Sequence, residues 1–240
     1  MLIRCLVILL VAGVLPGCNR ISRVDDTGQP PPPPPQPEIT VLVPYQSPWA
    51  ETMRAPLLLN RAMSTGTDRV LSAVTNGCTF EAMFGPLSLN TPNSGQVIPT
   101  TNSSNEPVLT VQSGYAFLIG RWPRVVSKWA QGAASGTEML IQIDTSTSSV
   151  ETHRVFLLDY LTAQKITVVA VNPTTGAPIL PGVDIVSEGY VEVTMNVLSG
   201  LPQVAGPFPL TNAPASVTTF VADIKRRAAH QGLLPYPTSP

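Results

Sequence analysis

Apolar and polar residues alternate with a period of two along much of this chain, which is the pattern of strands with one face buried. The clearest case is Tyr190 to Val197, where Val191, Val193, Met195 and Val197 point one way and Tyr190, Glu192, Thr194 and Asn196 the other. One dry face and one wet face is the habit of antiparallel sheets. Ile39 to Val43, Val108 to Val111, Tyr115 to Ile119, Met139 to Asp144 and Lys165 to Asn172 read as further strands. Arg69 to Thr75 and Cys78 to Phe84 flank Asn76-Gly77. That dipeptide suits the positive φ angles of a tight hairpin turn, and a short helix ending at Gly77 is the competing reading. Leu89 to Glu106, rich in Asn, Thr, Ser, Pro and Gly, reads as a long surface loop, while Trp49 to Met63 follows no single period.

The period changes near the end. From Ser216, the residues Val217, Phe220, Val221 and Ile224 share one helical stripe. Lys225, Arg226, Arg227 and His230 suit the negative end of the helix dipole, and Gly232 is a natural stop. A helix is therefore expected over 216–231. The expected fold is mainly β: an antiparallel β-sandwich-like or α+β domain with one C-terminal helix, occupying 38–240 and preceded by a disordered, polyproline tether.

The first 37 residues obey other rules. Met1-Leu2-Ile3-Arg4 is a short basic start, and the apolar run from Cys5 to Leu15 falls well below the ~20 residues of a spanning helix. Residues 1–17 thus read as a secretory signal. It closes on Leu15-Pro16-Gly17-Cys18, which resembles the processing box of bacterial lipoproteins, with Leu15, Gly17 and Cys18 matching and Pro16 in the free position. The resemblance covers the first 18 residues. It implies cleavage before Cys18, palmitate and further acyl groups on the new N-terminus, and anchoring in a membrane; Asn19 rather than Asp after the cysteine implies the outer membrane. A single acyl chain binds marginally, whereas two or more hold firmly. Residues 18–37 form the linker. Asn19 to Gln29 is polar and aperiodic, and Pro30 to Pro35 favours polyproline II at ~3.1 Å per residue, so the linker reaches on the order of 50 Å from the lipid.

Composition narrows the function classes. Charged residues make up 12% of the chain and the net charge is −1, which gives no electrostatic footprint for nucleic acid. Of three cysteines, Cys5 falls in the signal and Cys18 in the lipid site, so Cys78 is left as a small buried apolar residue without an intrachain disulfide partner. Cysteine-histidine metal fingers are excluded by count, because only His153 and His230 are available to join it. The chain has no Gly-x-Ser-x-Gly, His-Glu-x-x-His or phosphate loop. His153, close in sequence to Glu151 and Asp144, reads as a surface residue of a strand or helix, and His230 as a neighbour of the helix end. No enzyme and no cofactor beyond covalent lipid are expected.

Two segments carry candidate chemistry. Arg121-Trp122-Pro123-Arg124-Val125-Val126-Ser127-Lys128-Trp129 would, as a helix begun by Pro123, put Trp122, Val126 and Trp129 on one stripe beside Arg121, Arg124 and Lys128. Such a face suits glycan or lipopolysaccharide, and the usual alternative is a helix that packs its tryptophans on a sheet and leaves its cations solvated. Asp144-Thr145-Ser146-Thr147-Ser148 looks like the Asp-x-Ser-x-Ser opening of von Willebrand A-type domains. That resemblance implies Mg²⁺ held by Asp144, Ser146 and Ser148 at the tip of a parallel strand, with a helix beginning at Ser148-Ser149-Val150-Glu151. The usual alternative is a polar turn after a strand. The functional expectation is an outer-membrane-anchored, non-enzymatic structural or assembly component of an envelope or surface apparatus such as a secretion or pilus complex. Its partners would be the membrane, through the lipid, and other envelope proteins. A glycan-binding module and a metal-dependent adhesion domain stand as alternatives.

Overall fold

In the computed structural model the described residues are 47–51, 57–75, 77–89, 93–134, 136–147, 150–159, 165–196, 200 and 202–234. In chain order they form β1 (Trp49–Glu51), β2 (Met63–Thr65), β3 (Arg69–Thr75), β4 (Cys78–Gly85), β5 (Gly95–Thr101), β6 (Pro107–Arg121) and β7 (Arg124–Val126). Then come β8 (Ala130–Ala134), β9 (Thr137–Thr147), β10 (Val150–Asp159), β11 (Ile166–Ala170), β12 (Val183–Ile185), β13 (Gly189–Asn196), β14 (Pro202–Pro209) and, after a 3₁₀ turn at Leu210–Asn212, α1 (Ala215–His230). Cys18, the linker and the Ile39–Val43 segment lie outside the described residues.

The organising strand is β6, because it belongs to two sheets. Its residues 115–121 pair antiparallel with β4, and 114–120 do so with β9, within a sheet ordered β1-β3-β4-β6-β9-β10-β13-β14. Its residues 107–113 pair with β5 and, in parallel, with β7, within a second sheet ordered β2-β5-β6-β7-β8-β11-β12. The strand changes sheets at Gly114, whose φ of +79° a side chain would resist. A Cβ at Gly114 would lie 2.2 Å from the carbonyl oxygen of Gly85, and one at Gly95 would lie 2.2 Å from the same peptide group. Glycine at all three positions lets the end of β4 and the start of β5 meet over β6.

The sheets face one another across one apolar core. Trp49, Phe80, Phe84, Leu118, Met139 and Ile141 of the first sheet share it with Val97, Leu109, Val125, Ile166 and Val168 of the second. Contact is close: Gly132 of β8 leaves room for Val155 and Met139 of the opposite layer. Trp49 meets Phe80 edge-on at 5.3 Å and sends its indole N–H to Thr100 O at 3.0 Å, which ties β1 to β5. This is a β-sandwich.

A third layer covers the outer face of the first sheet. Val217, Val221, Ile224 and Ala228 of α1 pack on Met83, Tyr115, Phe117, Leu140, Phe156 and Tyr190. Where both faces are covered the inner strands lose their alternation, and β10 buries Val155, Phe156, Leu157 and Leu158 in succession. Arg227 fastens the helix: its guanidinium binds Asp68 through Nη2 and Nε (2.9 Å to Oδ2), reaches Pro86 O at 3.0 Å and lies 4.7 Å over the ring of Tyr115. The Tyr115 hydroxyl donates to Asp68 Oδ1 at 2.6 Å.

The mainly β class, the sandwich and the C-terminal helix are as expected, with the helix ending before Gly232 at φ +76°. The expected hairpin pairs Thr75 with Cys78 and has Gly77 at φ +83°; Asn76 lies outside the described residues. Other expectations need correction. The supposed loop at 89–106 contains β5, and the two strands read at 108–111 and 115–119 are one bent strand. Arg121 to Trp129 is no helix: β6 ends, the chain bends at Trp122 with φ +60°, and β7 and β8 form a hairpin. The von Willebrand-type context fails as well. Asp144 and Ser146 stand within β9, which returns antiparallel as β10 with Asp144 opposite Thr152, and Ser148 lies outside the described residues. No parallel strand or helix occupies 137–147 or 150–159 to build that kind of Mg²⁺ loop.

Candidate functional site

The β7–β8 turn sets the site. Ser127 and Ala130 close a two-residue turn, with the Ser127 N–H donating to Ala130 O at 2.7 Å and the Ala130 N–H donating to Ser127 Oγ at 3.1 Å. Lys128 and Trp129 occupy its tip. Beneath it runs β10, where Glu151, His153, Val155 and Leu157 share the face turned toward the second sheet by the two-residue period of a strand. Val155 and Leu157 enter the core, and the two polar members stand at its rim.

His153 is fully buried, which corrects the expectation of a surface position. Its Nε2 lies 2.8 Å from Glu151 Oε1 and its Nδ1 lies 2.6 Å from Ser127 Oγ. The hydrogen bond from His153 holds the Glu151 carboxyl down to about 2, against a rise from burial, with the Trp129 indole N–H adding a second donor to Oε2 at 3.0 Å. An ionised carboxylate accepts only, so Nε2 carries a proton and donates it to Glu151, while Nδ1 and the Ser127 hydroxyl share the second hydrogen bond. Every hydrogen-bonding atom of the ring is satisfied. Lys128 lies 3.8 Å from Glu151 Oε2 and 4.7 Å above the Trp129 ring.

This network borders a groove of about 510 Å³ lined by Thr110, Gln112, Ser127, Lys128, Glu151 and Asn172, among others. The groove opens where the sheets diverge, for β7 pairs with β6 as far as Thr110 and β9 takes over at Gly114. Gln112 is the extra residue of a bulge: Val97 faces Val111 and Gln96 faces Ser113, leaving Gln112 without an opposite residue and exposed. Bulges of this kind re-aim a side chain.

Serine, histidine and glutamate in a hydrogen-bonded row are also the residue types of an acyl-transfer triad. Here Ser127 is 3% exposed and its hydroxyl caps its own turn. The arrangement serves better as a brace that fixes Glu151 and Trp129 at the groove.

Of the residues singled out by sequence, the structure brings Lys128 and Trp129 together with Glu151. Trp122, 45% exposed on the bend after β6, is not among the groove-lining residues, nor are Arg121 and Arg124; Arg124 pairs with Glu106 at 3.3 Å. Asp144 lies 3.7 Å from Arg154 Nη1. Ser127, Glu151, His153 and Gln112 were missed as a group. The signal in the chain was Glu151-x-His153 followed by apolar Val155 and Leu157, two polar residues in phase with a buried face. No protein-family model matches the chain, and no curated protein matches it.

Proposed function

We propose that this protein is an outer-membrane lipoprotein whose β-sandwich head, held off the lipid on a proline-rich stalk, acts without catalysis as an assembly component of a bacterial envelope or surface apparatus. The observation that carries the reading is the order of three segments on one chain: the Leu15-Pro16-Gly17-Cys18 box, the Pro30 to Pro35 run, and a β unit bounded at Pro44. Acyl groups on Cys18 supply the membrane affinity, and the stalk sets how far the head reaches. A surface with few charges fits close packing among neighbours, since it offers little self-repulsion.

Growth with radiolabelled palmitate tests the anchor. The wild type is expected to take up label and to fractionate with the outer membrane, and Cys18→Ala to take up none. Equal labelling of the variant, or recovery of the wild type from the aqueous phase with residues 1–17 attached, rejects the reading.

A further inference from the structure

We propose that the groove between the β7–β8 turn and β10 is a saccharide site, taking a chain of N-acetylated amino sugars across Glu151, Gln112 and Lys128. It deepens the envelope reading in one respect only, the choice of sugar. Three observations point to this ligand. The first is the donor and acceptor set: the Gln112 carboxamide, the Gln96 carboxamide whose Nε2 already donates to Ser64, the Asn172 carboxamide whose Oδ1 already accepts from Thr174 and Thr175, a hydroxyl at Thr110, a carboxylate and an ammonium line one groove of about 510 Å³. Ring hydroxyls and acetamido groups both donate and accept, so they complement amides and a carboxylate at once, as a simple anion does not. The second is rigidity. Glu151 Oε1 is fixed by His153 and Oε2 by Trp129, and His153 is itself fixed by Ser127, so ordering the acceptor costs little when a ligand arrives. The third is the backbone. Along the groove only 111–113 of β6, between the end of β7 pairing at Thr110 and the start of β9 pairing at Gly114, have an open edge, and the Gln112 bulge interrupts it, which disfavours an extended peptide adding itself there as a strand.

The test uses the full acylated chain in detergent. Glycan strands freed of peptide by amidase are titrated while tryptophan fluorescence and calorimetric heat are recorded, with lipopolysaccharide in a parallel series. Saturable binding of the glycan strands is expected. Gln112→Ala, on an exposed bulge residue, is expected to weaken it about tenfold, and Glu151→Gln by at least as much, while Trp122→Ala leaves it unchanged. Absence of saturable binding, binding that Gln112→Ala leaves intact, or tighter binding to lipopolysaccharide than to the glycan strands overturns the proposal. So does covalent labelling of Ser127 by a fluorophosphonate, which would assign the row of residues to acyl transfer. The palmitate result is independent: an unanchored protein that still binds glycan removes the envelope reading and leaves the site standing.

Discussion

Two buried polar clusters brace this sandwich, one on each face of the same sheet. Outside it, Arg227, Asp68 and Tyr115 lie under α1, with Arg227 4% and Asp68 8% exposed by side chain. Between the sheets, Ser127, His153 and Glu151 sit at the rim, and Glu151 keeps 20% of its side chain in contact with solvent. The first cluster is closed. Its guanidinium is buried and donates to Asp68, Asp223 and Pro86 O, so it presents no open face to a ligand. The second ends on a carboxylate that borders a groove. A closed polar cluster specifies how elements dock, whereas one that ends at a surface holds a functional group ready; the difference should appear in what each tolerates.

The largest effect is expected at the closed cluster. Removing Arg227 leaves a buried carboxylate unpaired, which typically costs about 3–5 kcal/mol. Arg227→Met should therefore lower stability by that much in urea unfolding. The double variant Arg227→Met with Asp68→Leu should recover a substantial part, because no buried charge is then left behind. If the single variant loses under about 1 kcal/mol, α1 is not fastened in this way.

His153→Ala comes next. It leaves one oxygen of Glu151 without its partner, turns the Ser127 hydroxyl back on Ala130 alone, and opens a space opposite Val193 on the neighbouring strand. A loss of about 2–4 kcal/mol is expected in the same assay, from the desolvation of unmade hydrogen bonds together with the space created. Hydrogen exchange sharpens the comparison. His153→Ala should speed exchange at the β7–β8 turn and leave α1 protected, and Arg227→Met should do the opposite.

These clusters also mark where reading the chain as a string stopped working. The Asn76-Gly77 hairpin was legible because the turn chemistry is local, and α1 because its stripe faces one layer. β10 was obscured by its position in the middle layer: Val155-Phe156-Leu157-Leu158 is buried on both faces, so the alternation that marks a strand is erased, and Ser148 to Glu151 imitates a helix cap. Tyr190, assigned by alternation to a wet face, stacks on Phe156 at 5.3 Å beneath the helix for the same reason. β5 was hidden by its polar flanks, and β14 by Pro202, Pro207 and Pro209, which an edge strand tolerates. The groove was invisible for a different reason. Ser127 and His153 are 26 positions apart and meet only because β10 passes under a turn on the opposite sheet.

Acid separates the clusters further. The folded-state value of Glu151, about 2, lies below the ordinary 4.5, so its contribution is full above about 4.5 and is lost as pH falls toward 2. Because the side chain is partly solvated, the loss across that window should be on the order of 1–2 kcal/mol. Glu151→Gln should be less stable than the wild type at about pH 7 and should draw level with it near pH 2. Equal pH slopes for the two proteins between about 2 and 4.5 would mean that the carboxylate is not held as described.

The smallest effect is expected at Trp122, which belongs to neither cluster. Its ring is 45% exposed and its φ is +60°, a conformation that costs a bulky residue free energy and glycine almost none. In Trp122→Gly, relief of that strain opposes the lost contacts of the ring and the greater freedom of an unfolded glycine, so the net change should lie within about 0.5 kcal/mol. Trp129→Ala, by contrast, removes a donor to Glu151 and a ring packed against the core, and should cost about 2–3 kcal/mol. If instead Trp122→Gly is the more damaging of the two, the bend after β6 stabilises the sandwich in its own right, and the two polar clusters are not its main braces.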